Sequence, residues 1–361
     1  MKDTNLLTTA PKYIEDVTRL IGNTPLLKLN KIFDQHHVFA KLEYYNPTFS
    51  VKDRAAFHMV EKALSEKKIA KGHTIIGATS GNTGLGLCLA ANYYDLNYIC
   101  VAFDTVPKEK ISLLKAFGAI VVMCDSEAES YEEGGYVWVA MQLAKEINNS
   151  YLIDQFVDIN NPSIHYLKTG PEIWDQMDGQ IDYFFSTIGT GGTISGIGKY
   201  LKGKDSNIKV IGVEPNGGIY RKVFKNQPPI FETHLINSIS DCFISPNLDF
   251  NVIDDIISID DKEAFKMCYT LLQKESICVG TSSGCVLKGI EEYLKNMNYT
   301  GRRERIVTIL PDIGLKYMET LFNPDYLKTK QITIGRDKKN DFTLNKLVEE
   351  RFGKFKVKVD E

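Results

Sequence analysis

The 361-residue sequence is short of most features that would assign a class at a glance. Its seven cysteines, Cys88, Cys100, Cys124, Cys242, Cys268, Cys278 and Cys285, include no C-x-x-C pair, and most sit in apolar runs such as YICVAF. Their odd number and scatter exclude a disulfide framework and point to reduced, mostly buried thiols. No apolar run approaches the length of a membrane span, so no membrane partner is expected. The start, MKDTNLLTTAPKY, has neither an apolar signal core nor an arginine-rich amphipathic pattern, which makes a cytoplasmic location the expectation. Charge of one sign is missing too: 43 Lys and Arg stand against 46 Asp and Glu, a net −3. With only short basic runs, nucleic acid is not an expected partner, and no metal site is expected. Internal repeats and low-complexity stretches are absent.

What is present is a core-forming composition, 43% hydrophobic and 25% charged, in a chain long enough for two domains. Short β-branched runs, HVFAKLE, TIIGAT, NYICVAF, AIVVMC, YLIDQF, DYFFSTI, KVIGVEP and RIVTILP, read as strands. Helix-period stretches lie between them, at Arg54 to Lys67, Gly84 to Tyr94, Lys108 to Phe117 and Gly135 to Asn148. Continuous rather than alternating apolar strands, each followed by a helix, predict an α/β fold with two mainly parallel sheets flanked by helices. The first sheet is expected to end near DQFVDINNP and the second to start near Ile181, with Asn160, Asn161 and Pro162 as the boundary. The last thirty or so residues are highly charged, which fits a peripheral helix, a hairpin or a mobile tail.

Three strand-to-helix junctions carry the chemistry. In TSGNTG, Thr79, Ser80, Gly81, Asn82 and Thr83 gather hydroxyls, an amide and free N–H groups at a helix start, a natural seat for a carboxylate. In GTGGT, Gly189, Gly191 and Gly192 let the backbone approach a phosphate closely, while Thr190 and Thr193 add hydroxyls. No Lys-Ser/Thr follows, so this is not a nucleotide P-loop, and the dinucleotide pattern is met only approximately. In GTSSG, Ser282 and Ser283 lie between Gly280 and Gly284, and a neutral serine can hydrogen-bond a ring nitrogen without fixing a proton on it. Each junction could equally be an ordinary helix cap. Lys52, in NPTFSVKDR, would become a carbonyl-trapping nucleophile if burial lowered its pKa; Asp53 and Arg54 read as a first-turn acid and a solvated base. An anion seat, a phosphate loop, a ring-nitrogen serine and a lysine are together what pyridoxal phosphate requires.

On IGNTPLLKLNKI, KLEYYNPTFSVKDR, TSGNTG, DQFVDINNP, GTGGT, GVEP, TSSG and ILPD, spread over about residues 15 to 327, the sequence resembles the fold-type II pyridoxal-phosphate enzymes of the cysteine synthase and cystathionine β-synthase group. The resemblance implies that Lys52 carries the cofactor and shuttles the Cα proton. It assigns Asn82 to the cofactor's 3-hydroxyl, the segment from Gly189 to Thr193 to its phosphate and Ser282 to its pyridine nitrogen. Thr79, Ser80, Gly81, Asn82, Thr83, Gln155 and Ser238 would bind substrate, with Gln155 in DQF where the family has NQF. The implied organisation is a smaller, mobile domain at 46–158 that grips substrate, a larger cofactor domain at 12–45 plus 159–328, a charged extension at 329–361, and a homodimer.

One stretch departs from the family. Where relatives carry a glycine-rich segment along the substrate pocket, this chain reads NSISDCFIS, with Ser238 and Ser240 in place of glycines and Asp241 next. A carboxylate there narrows the pocket and adds a general base; alternatively Asp241 caps a turn and points away. The expected reaction is replacement or elimination at Cβ of a cysteine- or serine-type L-amino acid through an aminoacrylate intermediate. The first choice is L-cysteine plus water giving L-serine and hydrogen sulfide. Cysteine synthase, cystathionine β-synthase and diaminopropionate synthase are the alternatives, with a binding paralogue that has lost catalysis as the non-enzymatic one. The first forty residues hold no cysteine for a haem like that of animal cystathionine β-synthases, and the tail is short for a paired regulatory module.

Overall fold

The computed structural model describes residues 13–79, 81–125, 128, 130–236, 238–297 and 303–335. Most of the charged extension, from 336 onward, lies outside them, as does Ser80. From the N-terminus the elements are β1 (Leu26–Lys28), β2 (His37–Leu42), α1 (Lys52–Ser65), β3 (Thr74–Ala78), α2 (Asn82–Tyr93), β4 (Asn97–Phe103), α3 (Lys108–Ala116), β5 (Ile120–Cys124), α4 (Tyr136–Glu146) and β6 (Ser150–Leu152). There follow α5 (Asn160–Ile164), α6 (Gly170–Gln176), β7 (Tyr183–Thr187), α7 (Gly192–Lys204), β8 (Lys209–Pro215), α8 (Tyr220–Phe224), β9 (Asp255–Ile259), α9 (Asp261–Glu275), α10 (Thr281–Asn296), β10 (Arg305–Leu310) and α11 (Pro324–Thr329).

The strands pair as two sheets, in the orders β1-β2-β10-β7-β8-β9 and β5-β4-β3-β6. Every pairing is parallel except β1 with β2. This is the α/β architecture expected from the continuous apolar runs. In β4, Tyr98, Ile99, Cys100, Val101 and Ala102 are all buried, because helices cover both faces of the sheet. Two strands escaped the sequence pattern: β1 has three residues, and β9 begins on an acid, Asp255. The run YLIDQF is strand only to Leu152. Beyond it the Asp154 carboxylate accepts from the Phe156 N–H and bends the chain into a turn.

Helix α1 packs on α2, burying Met59, Val60 and Leu87. Burial of each such side chain contributes roughly 1.5–3 kcal/mol. The close approach requires glycine at 86, where a Cβ would stand 2.8 Å from that of Ala56 and 3.1 Å from the Lys52 carbonyl oxygen. The carboxyl ends of β2, β7 and β10 lie side by side where β10 sits between β2 and β7, the place at which open α/β sheets bind ligands.

Candidate active site

Lys52 is the first residue of α1, delivered by the loop that follows β2. That loop is held by the Val51 N–H donating to the Pro311 carbonyl at 2.8 Å. Of the two residues after Lys52, Asp53 is the first-turn acid expected from sequence, but Arg54 is not the solvated base. Asp53 and Arg54 are 0% and 2% exposed. The Asp53 carboxylate accepts from the Thr48 N–H at 2.6 Å and from its hydroxyl. Arg54 donates to Glu43 at 2.7 and 2.9 Å and to Glu172 at 2.8 and 2.7 Å. Lys41, fully buried, contacts Glu172 at 2.9 Å and donates to the Thr24 carbonyl at 2.7 Å. A five-fork network therefore anchors the turn of chain that aims Lys52. Charge in so apolar a chain can be buried only when paired in this way.

The Lys52 side chain points into a cleft, and among the described residues nothing hydrogen-bonds its amine. Burial brings the amine down to about 8, with the Asp241 carboxylate opposing the shift. The positive end of α1, at whose first turn Lys52 sits, disfavours the ammonium in the same sense. One arm of the cleft is lined by Lys52, Asn82, Gly189, Thr190, Gly191 and Thr193, closed by Ser238, Ser282 and Asp312. The other arm brings Thr79, Gly81, Thr83, Gln155 and Asp241 to Lys52, Asn82 and Ser238. Residues from seven separate stretches thus converge. Gly192 alone of the described candidates lines neither arm and stands behind the wall, where a Cβ would come within 2.1 Å of Asn161 Oδ1.

The glycine loop has the shape an anion needs. Gly191 has φ +80° and caps the thirteen-residue α7. A Cβ at Gly189 would be 2.8 Å from the Ser238 carbonyl oxygen, and one at Gly191 2.6 Å from Leu248 Cα. The Thr190 hydroxyl accepts from Asn161 Nδ2 at 3.0 Å, and its carbonyl accepts from the Ser245 hydroxyl at 2.8 Å. Opposite, the Thr83 hydroxyl donates to Gln155 Oε1 at 2.5 Å, so the two predicted carboxylate binders hold each other in place. Asn82 is held from both sides: its Nδ2 donates to Asp312 Oδ2 at 2.7 Å and its Oδ1 accepts from Lys316 Nζ at 2.7 Å. Asp312 also accepts from the Tyr317 hydroxyl at 2.7 Å, while its buried Oδ1 has no partner.

Asp241 lines the arm that contains Lys52. No hydrogen bond reaches its carboxylate among the described residues; burial raises its pKa, while Lys52 and His234 lower it. Ser238 and Ser240, where the family has glycine, keep the left-handed backbone of a glycine, at φ 65° and 56°. Sequence reasoning missed Asp312, Lys316, Tyr136 and Asn161. Asp312 was within reach as the acid of ILPD; Tyr136 and Lys316 carry no motif, and only the packing of distant segments brings them to the cleft.

The profile of the pyridoxal-phosphate dependent enzyme family matches residues 17–312, and the chain belongs to that family. Within it, the chain falls with the cysteine synthase and cystathionine β-synthase group. It is 36% identical over 315 residues to a cysteine synthase of Staphylococcus aureus (strain Mu50 / ATCC 700699), 86% of this chain and 97% of that protein. It is 39% identical over 319 residues to a cystathionine beta-synthase of Apis mellifera, 87% of this chain and 62% of the relative. A mouse cystathionine beta-synthase is 35% identical over 329 residues, 90% of this chain and 58% of the relative. The chain thus spans about three-fifths of the cystathionine beta-synthases it matches.

The residues present fit the family's cofactor. The loop at 189–192 leaves a cradle that side chains would fill, at the start of a long helix. Lys52 and Ser282 line the same arm, and among the described residues neither the Lys52 amine nor the Ser282 hydroxyl has a hydrogen-bonding partner.

Proposed function

We propose that the protein hydrates L-cysteine at Cβ: L-cysteine plus water gives L-serine plus hydrogen sulfide. The observation that carries this reading is Asp241, a carboxylate without a hydrogen-bonded partner beside Lys52, where the family's glycine-rich segment would run. Lys52 is proposed to hold the cofactor, Gly189 to Thr193 its phosphate, Ser282 its ring nitrogen and Asn82 its ring hydroxyl. Bound pyridoxal phosphate supplies an electron sink that acidifies the Cα proton and loosens the Cβ substituent.

The chain's own groups do the rest. Thr79, Ser80, Gly81, Asn82 and Thr83, with Gln155, bind the substrate carboxylate at the positive end of α2. Lys52 takes the proton from Cα, and the Cβ–S bond breaks as sulfide departs. Asp241 takes a proton from water as its oxygen bonds to Cβ. Lys52 returns its proton to Cα, and Asp241 releases its proton to solvent, where the departed hydrosulfide takes one up as hydrogen sulfide, so the atoms balance. Closure of the unit at 46–158 over the larger one excludes bulk water. A cytoplasmic homodimer belongs to the same proposal; Leu315 and Met318, 64% and 51% exposed, offer apolar surface for it.

The cysteine synthase relative, matched over nearly its whole length, carries the second reading. L-cysteine as sole substrate separates the two. Sulfide with equimolar serine supports hydration, sulfide with pyruvate means elimination alone, and no turnover without O-acetylserine and sulfide gives cysteine synthase.

A further inference from the structure

We infer that Tyr136 sets the size of the nucleophile at Cβ, admitting water and shutting out a second amino acid; this rests on the hydration reading above. Tyr136 opens α4 and is 7% exposed, yet it lines the Asp241 arm of the cleft. Its ring is fixed against Phe103, centroids 4.4 Å apart. Burial, reinforced by the nearby Asp241 charge, keeps its phenol protonated, so it fills space as a neutral donor.

A second aromatic ring, Phe156, lines that arm, and two further rings pack beside it. Tyr131, on the loop before α4, stands edge-on to Phe243 at 5.3 Å, and Phe243 meets Phe156 at 5.0 Å. The Tyr131 hydroxyl donates to Asp154 Oδ2 at 3.2 Å, the acid that replaces the family's NQF asparagine. Tyr131 is thus packed through Phe243, two residues after Asp241, onto the Phe156 ring that lines the arm. The arm has about 70 Å³ of free space. The Tyr136 ring occupies part of this arm beside Asp241 and Lys52, so the space left for a nucleophile there depends on its size.

The test supplies the holoenzyme with L-cysteine and L-homocysteine together and measures serine, thioether and sulfide. The unmodified protein is expected to give serine with little thioether. Tyr136→Ala should raise the thioether-to-serine ratio at least tenfold, and Tyr136→Phe, which keeps the ring, should leave the ratio near its original value. If Tyr136→Ala does not fold, Tyr131→Ala, at a ring 38% exposed, carries the test with an expected rise of at least threefold. A ratio unchanged within twofold in the foldable variant overturns the inference, as does thioether as the main product of the unmodified protein. The two proposals fail separately. If L-cysteine alone yields no serine but Tyr136→Ala opens thioether formation, the size limit stands and hydration falls.

Discussion

Asp241→Asn keeps the shape of the side chain and removes its charge. As a general base for water, Asp241 should contribute about 10²–10⁴-fold, or roughly 2.7–5.5 kcal/mol of barrier. Serine formation from L-cysteine should therefore fall by that factor. Sulfide release should persist, now accompanied by pyruvate, because Lys52 still takes the Cα proton. Folding should not suffer, since the carboxylate makes no hydrogen bond and its burial is unfavourable. A second readout is electrostatic. The Asp241 charge holds the Lys52 amine up against burial, so its loss should shift the Lys52 titration further below about 8. Serine and pyruvate would be assayed by chromatography and the titration by cofactor uptake on stripped enzyme. Serine formation within threefold of the unmodified protein would refute the base assignment.

Three further outcomes follow from the site. Cofactor uptake by stripped enzyme should accelerate as pH rises through about 8, where the Lys52 amine becomes neutral, and a pH-independent rate would contradict its assignment as the nucleophile. Gly191→Ala puts a side chain at φ +80° and against Leu248; the left-handed penalty alone is about 1–2 kcal/mol, so equilibrium dialysis should show cofactor affinity at least tenfold weaker. Arg54→Ala removes the guanidinium that pairs with buried Glu43 and leaves Glu172 only its Lys41 contact; it should cost about 3–5 kcal/mol, read as a lower urea midpoint, and a loss below ~1 kcal/mol would show the network to be dispensable.

How much of this was legible from sequence varies residue by residue. Lys52, the helix start at Asn82 and the glycine loop announce themselves because strand-to-helix junctions have local signatures, and the fold brings all three to one cleft. Asp53 is the first-turn acid expected, but Arg54 was misread as solvated: nothing in NPTFSVKDR reveals that Glu43 and Glu172, 11 and 118 residues away, will pair with it in a buried site. The strand β9 was hidden by its acidic start and the three-residue β1 by its length, since periodicity needs several residues to show. Tyr136 and Lys316 join the site only through packing of distant segments, which no local pattern encodes. Asp241 was visible only as a departure, an acid next to two serines that stand in place of glycines, and its neighbours had to come from the fold.

The central claim is that water, handled by Asp241, adds to Cβ. The most direct test is turnover of L-cysteine in water enriched in the heavy oxygen isotope, with the serine analysed by mass spectrometry. The account predicts serine with one heavy oxygen in its hydroxyl group, in amounts equal to the sulfide released. Sulfide without labelled serine would contradict it.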